Sequence, residues 1–223
     1  MNPQIRCVVL DIDDTLYLER DYAASGFRAV GEHLGSERFG PAAIAALKQG
    51  VRGTIFDVVL SDLGIEPGVG GIARLVSVYR QHRPEIELLG DARDCIERWA
   101  EATRLAVITD GPLESQKAKA QALSLATWCD PLIFTAELGA GRGKPHPAAF
   151  VAVEEQLGLE GSQCLYLADN PKKDFVTPDA RGWTTVRIRR PGSLHEAVGS
   201  GSDVAWEFSS LRDLPAELTE MFL

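Results

Sequence analysis

Three carboxylates, Asp11, Asp13 and Asp14, fall within four positions directly behind the apolar run Val8-Val9-Leu10. Like charges packed this closely cost stability unless something positive neutralises them, and a divalent cation is the natural candidate. Two more apolar runs end in polar turns. Leu105-Ala106-Val107-Ile108 leads into Thr109-Asp110-Gly111, and Cys164-Leu165-Tyr166-Leu167-Ala168 leads into Asp169-Asn170, with Asp174 shortly after. A Gly-rich loop ending in Lys144 precedes the last of these.

The chemistry on offer is coherent. Asp11 and Asp169 are hard oxygen ligands of the kind Mg²⁺ takes, one or two at a time with several waters kept. Thr109 supplies a hydroxyl, and the amides after it can face a phosphate oxygen where Gly111 leaves room. Lys144 supplies a point charge for a phosphate and for the acidic pair. A carboxylate nucleophile with a second carboxyl two residues on suits covalent phosphoryl transfer.

Strands must hold these groups in place. Short all-apolar runs fit strands buried on both faces of a parallel sheet, and open α/β sheets bind ligands beyond the carboxyl ends of their strands. Asp11, Asp13, Thr109, Asp110, Lys144, Asp169 and Asp174 are therefore expected along one crevice. Strands are predicted over about 6–12, 105–108, 132–135, 164–168 and 184–188, with an edge strand at 204–208. Helices are predicted between them, over 92–102, 113–125 and 148–157, and a helix-length segment follows Asp174. The alternation specifies a Rossmann-like α/β core, a parallel sheet covered on both faces in three layers, from residues 1–16 and 85–223. Residues 17–84 lack a convincing strand. Stripes such as Tyr22, Phe27, Val30 and Leu34, and Ile55, Val58, Val59 and Leu63, predict an inserted helical domain, with one helix opening at Pro41.

At 223 residues the chain can hold a core of this kind with an insertion. A net charge of −9 argues against nucleic acid or an anionic membrane as the main partner, while a few local cations still allow a small anionic substrate. Cys7, Cys95, Cys129 and Cys164 show no CxxC or zinc spacing and read as reduced thiols in or near the core. With no signal-peptide pattern and no apolar run long enough to span a bilayer, the expected location is cytoplasmic.

The four polar turns also resemble a known set. Asp11-Ile12-Asp13-Asp14-Thr15-Leu16 resembles the DxDx(T/V) first motif of the haloacid dehalogenase-like (HAD) superfamily. Thr109-Asp110-Gly111 resembles the second motif, Lys144 in Gly-Lys-Pro-His-Pro the third, and Asp169 with Asp174 the fourth, all in the family's order. The resemblance implies that Asp11 is the nucleophile and that Asp13 protonates the leaving group, activates water and lends its backbone carbonyl to Mg²⁺. It implies that Thr109, Asp110 and Gly111 hold the phosphoryl group and that Lys144 stabilises the charge on Asp11 and on the phosphate. Asp169 would complete the metal site, with Asp174 a ligand or an anchor for Lys144. Asp13 is missing from the family's dehalogenases, so it points to a phosphatase acting on a small phosphorylated metabolite, a sugar phosphate or a nucleotide. A phosphomutase with the same nucleophile and a non-catalytic binding protein are the alternatives. The insertion resembles a C1-type cap, and monomer and homodimer both remain open. Where this chain has Asp110, relatives often have Asn, so the extra carboxylate is expected to point away from the phosphate.

Other candidates carry less. The loop from Gly139 to Lys144 fails the P-loop pattern, since Pro145 stands where Ser or Thr must bind Mg²⁺. His146, between two prolines, is read as a loop brace, and Asp14 as a cap. His33, His82 and His195 are read as surface residues, and Lys172 and Lys173 as solvated cations able to steer an anion. Arg20, Arg28 and Arg52 of the insertion could grip a substrate's anionic tail, Arg52 foremost.

Overall fold

The computed structural model describes residues 4–222. Two compact units divide the chain, residues 1–19 with 87–223, and residues 20–86.

The larger unit is built on six parallel strands: β1 (Cys7–Leu10), β2 (Arg104–Thr109), β3 (Cys129–Phe134), β4 (Cys164–Ala168), β5 (Thr184–Ile188) and β6 (Trp206–Phe208). Their order across the sheet is β3-β2-β1-β4-β5-β6, so the first strand of the chain lies in the middle. Chain direction across the sheet reverses between β1 and β4, and such a switch point opens a crevice at the carboxyl ends. Register does the rest. Leu10 stands level with Val107 on one side and Leu167 on the other, so Asp11, Thr109 and Asp169 leave the sheet within two residues of one line. Asp11 N still donates to Leu167 O at 2.8 Å, which ties the first residue beyond β1 to its neighbour.

All four residues of β1 are fully buried, as a central strand covered on both faces requires. One face packs Val9, Ala106, Ile108 and Tyr166 against Phe150 and Val153 of α7 (Ala148–Leu157). The Phe150 ring meets Tyr166 edge-on at 5.4 Å, a favoured aromatic geometry. Helix α5 (Gly90–Ala100) turns Ala92, Cys95, Ile96 and Trp99 inward at helical spacing. Helix α6 (Leu113–Ala122) follows β2 and differs, because its buried residues include Ser115, Gln116 and Lys119. Two short helices complete the unit, α8 (Val176–Ala180) and α9 (Ala216–Thr219). The helix-length reading after Asp174 shrinks to the five residues of α8, where Pro178 and the turn at Gly182 leave no room for more.

The smaller unit holds most of α1 (Glu19–His33), with α2 (Phe39–Lys48), α3 (Ile55–Leu63) and α4 (Gly71–Gln81). Phe27, Val30, Phe39, Val59, Leu60 and Leu75 form its core. Helix α2 opens at Phe39, two residues ahead of the predicted start. Pro41 is accommodated in its first turn, where no backbone N–H is needed. His82, read as a surface residue, is buried instead: its Nδ1 is 2.6 Å from Tyr79 O and its ring packs on Tyr22. The four cysteines are buried and free, and burial pushes the Cys129 and Cys164 thiols up to about 12. Among the described residues no helix is long and apolar enough to cross a membrane.

Candidate active site

Asp11, buried just beyond β1, accepts a hydrogen bond from Lys144 Nζ at 2.7 Å. The same ammonium lies 2.9 Å from Asp174 Oδ1 and donates to the Tyr166 hydroxyl at 2.9 Å. Lys144 is itself buried, so its charge is affordable only because Asp11 and Asp174 face it. Burial would lower its pKa, but these carboxylates win and hold it well above the usual lysine range. Asp11 is pushed up to about 6, chiefly by burial and against the pull of Lys144, with Asp174 adding repulsion.

Asp169 completes an acidic cluster. One carboxylate oxygen from each of Asp11, Asp169 and Asp174 lies within 4.8 Å of the others. Asp169 Oδ2 is buried with no hydrogen-bond partner among the described residues. Burial first, then the charges of Asp11 and Asp174, push this carboxyl up to about 9. A buried carboxylate oxygen with no donor is costly, and a cation bound there reverses the local preference for protonation. The donor set, carboxylate oxygens only, fits a hard divalent cation. Asp174 serves both neighbours, with Oδ1 facing Lys144 and Oδ2 accepting from Asn170 N at 3.0 Å.

Asp13 contributes no side chain to that cluster. Its carboxylate turns to α6, where Oδ1 accepts from Lys119 Nζ at 2.7 Å and from the Tyr17 hydroxyl, and Oδ2 accepts from Gln116 Nε2 at 2.9 Å. Burial would raise its pKa, but the Lys119 charge and these hydrogen bonds outweigh it and lower it. Thr109 Oγ1 donates to Gln116 Oε1 at 3.0 Å. Asp14, at φ 53°, accepts from Glu19 N at 2.9 Å and from Leu194 N at 2.8 Å, so it ties the turn to the start of α1 and to a C-terminal loop. The left-handed region is one that Asp tolerates better than most residues.

Asp110 points at the loop that carries Lys144. Both its oxygens accept from Lys144 N at 3.1 Å, Oδ1 accepts from Thr135 Oγ1, and Oδ2 pairs with Lys173 Nζ at 2.9 Å. Lys173 is thus an ion-pair partner of Asp110, not a freely solvated side chain. Burial works to raise the Asp110 pKa, but Lys144, the Thr135 hydrogen bond and Lys173 together hold it below the usual range. An acid whose folded pKa is depressed adds stability that is complete above its unfolded pKa, about 4, and fades as pH falls below that value. Asp110→Ala is therefore expected to cost about 2–3 kcal/mol near neutral pH. In denaturation curves run at falling pH, the gap from wild type should close below about pH 4; a gap independent of pH would contradict this role.

Several expectations shift. The room at Gly111 is filled by protein, since a Cβ there would sit 2.5 Å from Gln116 Nε2. Arg52 folds back on Leu47 O and Val51 O at 2.6 and 2.9 Å, and Arg28 pairs with Glu85. His146 Nδ1 accepts from Ala148 N at 3.2 Å, as a brace of its loop would. Tyr17, Gln116, Lys119 and Tyr166 carry no weight in a reading of motifs, yet all four touch the motif residues. A signal for two of them exists: Gln116 and Lys119 are three apart on the helix that leaves β2, and so share a face.

Residues 5–175 match the family profile of the haloacid dehalogenase-like hydrolases. Glyceraldehyde 3-phosphate phosphatase of Methanopyrus kandleri is 25% identical over 97% of both chains. Enolase-phosphatase E1 of Frankia alni is 27% identical over 53% of this chain and 50% of that protein. Among solved structures, the HAD-hydrolase YfnB of Bacillus subtilis, bound to magnesium, superposes with a TM-score of 0.70 at 18% identity, over 98% of each chain. The L-2-haloacid dehalogenase of Xanthobacter autotrophicus gives a TM-score of 0.64 at 19% identity, over 96% of this chain and 98% of that one. With the parallel sheet, the four motifs at its carboxyl edge and the profile match in agreement, this chain belongs to the haloacid dehalogenase-like hydrolases.

Proposed function

We propose that the protein is a Mg²⁺-dependent phosphatase of a small phosphorylated metabolite, working through an aspartyl-phosphate on Asp11. The observation that carries the reading is the buried meeting of Asp11, Lys144 and the unpartnered Asp169 oxygen. An oxygen of the Asp11 carboxylate attacks phosphorus, and the P–O bond to the leaving group breaks as its oxygen takes a proton from Asp13. Lys119 holds Asp13 ionised in the free protein, so Asp13 first takes that proton from the monoprotonated phosphate of the bound ester. Asp13, now ionised, then takes a proton from the water that attacks the aspartyl-phosphate, releasing inorganic phosphate and restoring Asp11. Lys144 holds the nucleophile in place and offsets charge on the transferring group. Phosphoryl transfer leaves little covalent work for the protein, so positioning and charge neutralisation do most of it. Asp11 and Asp169, with Asp174 alongside and the backbone carbonyl of Asp13, would hold Mg²⁺, which supplies positive charge to the phosphate oxygens. The magnesium bound by the structural relative YfnB supports that choice of ion.

Two relatives named as phosphatases support the reaction, and the one that matches along nearly its whole length, a glyceraldehyde 3-phosphate phosphatase, supports a short-chain sugar phosphate as substrate. The helical insertion is assigned the part of setting that choice. A panel of phosphate monoesters incubated with Mg²⁺ tests the reading. Inorganic phosphate is expected as product, with short sugar phosphates among the best substrates. Excess EDTA is expected to abolish turnover and added Mg²⁺ to restore it. Full activity in the chelator would remove Asp169 from its role, and an isomerised ester in place of free phosphate would make the protein a phosphomutase.

A further inference from the structure

The reaction above leaves α6 without a part, yet that helix spends two polar side chains on Asp13. Gln116 and Lys119 are each only 3% exposed, and both reach across more than a hundred positions of sequence to the same carboxylate. Lys119 Nζ stands 2.7 Å from Oδ1 and Gln116 Nε2 2.9 Å from Oδ2, with the Tyr17 hydroxyl also on Oδ1. The Gln116 amide has further contacts. Its nitrogen donates to Asp110 O at 2.9 Å as well, so its two protons have two acceptors and its orientation is set. Its oxygen then faces Thr109 Oγ1 at 3.0 Å, and the hydroxyl must be the donor. One amide therefore joins the turn after β2 to the turn after β1, and Gly111 is the residue that makes space for it.

An apolar side chain would pack α6 as well as a lysine and without the cost of burying an ammonium. The charge at position 119 falls on the Asp13 carboxylate it touches, and it also bears on Glu19. We propose that Lys119 and Gln116 are positioning residues for proton transfer at Asp13, fixing both of its oxygens relative to the turn after β2. The proposal rests on the phosphatase reading. Misplacing a reacting group by a fraction of an ångström slows the step it serves and leaves steps that do not need it. The clamp should therefore matter in proportion to how much the leaving group needs a proton.

Two esters separate this from a merely structural role. A nitrophenyl phosphate releases a phenolate that leaves with little help from an acid, whereas glycerol phosphate releases an alkoxide that needs the proton. Because kcat/KM covers events up to the first phosphoryl transfer, it reads this difference without interference from later hydrolysis. In Lys119→Met, kcat/KM for glycerol phosphate is expected to fall about 30-fold or more, against about threefold for the nitrophenyl ester. Gln116→Met carries the same sign at about tenfold, and stands in should Lys119→Met fail to fold. Equal losses on the two esters at a retained melting temperature, or no loss on either, would overturn the clamp and leave the phosphatase reading standing. A wild-type enzyme inactive on both would overturn that reading, and the clamp's part in it as well.

Discussion

Asp11→Asn is expected to abolish turnover while leaving the metal-free protein no less stable, and the two outcomes have one cause. As the proposed nucleophile, Asp11 has no stand-in, since an amide oxygen forms no stable phosphoryl adduct. Removal of a nucleophile from an otherwise intact site lowers kcat by at least about 10⁴-fold. Stability follows a different balance. Around Lys144 the chain buries one ammonium against Asp11, Asp169 and Asp174, so negative charge is in excess when no metal is bound. The Asp11 carboxyl is raised to about 6, mainly by burial. A carboxyl raised in the folded state stabilises fully below its unfolded pKa, about 4, and that contribution is lost as pH climbs through the folded value. Asn has no such loss. The variant should therefore gain on wild type between about pH 4 and pH 6 in the absence of metal. Phosphate-release assays with thermal melts in EDTA read both effects, and a trapped, acid-stable phosphoenzyme should form in wild type and not in the variant. Residual turnover within a hundredfold of wild type would remove Asp11 from the covalent step, and a large drop in melting temperature would show that its charge stabilises the fold.

The contrast between these two effects explains what a sequence can and cannot reveal. Apolar runs such as Cys7 to Leu10 and Cys164 to Ala168 identify central strands because nothing else buries four or five consecutive side chains so completely. A carboxylate or a threonine directly behind such a run then stands at the carboxyl edge of a parallel sheet, and the register of β1 with β2 and β4 places Asp11, Thr109 and Asp169 there. Side-chain pairing across the site is set by none of these rules. Leu113 to Ala122 reads as a polar helix, and a helix of that composition ordinarily turns Gln116 and Lys119 to water. The distances from Lys119 Nζ and Gln116 Nε2 to the Asp13 carboxylate show the opposite. Lys173 hides for the same reason, because its partner Asp110 is far away in the chain. The buried Arg187 shows how far such ties extend. Its Nε donates to Asp169 O at 2.9 Å and its other nitrogens to Val198 O and His195 O, so the C-terminal loop is anchored on the backbone of a site residue. Arginine in a predicted strand gives no hint of that.

Lys144→Met should move stability in the direction opposite to Asp11→Asn. The lysine is the counter-charge of the acidic cluster and touches Asp11, Asp174 and the Tyr166 hydroxyl. Methionine keeps most of the volume and removes the charge, leaving three buried carboxylates facing one another. Breaking a buried ion pair by removing one partner costs about 3–5 kcal/mol, which in a chain of this length is a fall in melting temperature on the order of 10 °C. The cost should grow with pH. At about pH 5 Asp11 and Asp169, already pushed up to about 6 and about 9, hold protons and repel little, whereas at about pH 7.5 Asp11 must ionise or stay protonated at a penalty. Mg²⁺ should recover part of the loss, because the cation supplies charge where the ammonium was and binds the folded chain alone. Activity should not recover with it. Lys144 Nζ stands 2.7 Å from Oδ1 of Asp11, the proposed nucleophile, and loss of a preorganised charge at such a point costs about 10²–10³-fold in kcat. Melting curves at the two pH values, with and without Mg²⁺, set beside kcat at saturating Mg²⁺ give the full pattern. A variant whose deficit ignores both pH and Mg²⁺ would mean that Lys144 stabilises by packing, and one whose turnover returns with Mg²⁺ would mean that its charge is needed for folding and not for phosphoryl transfer.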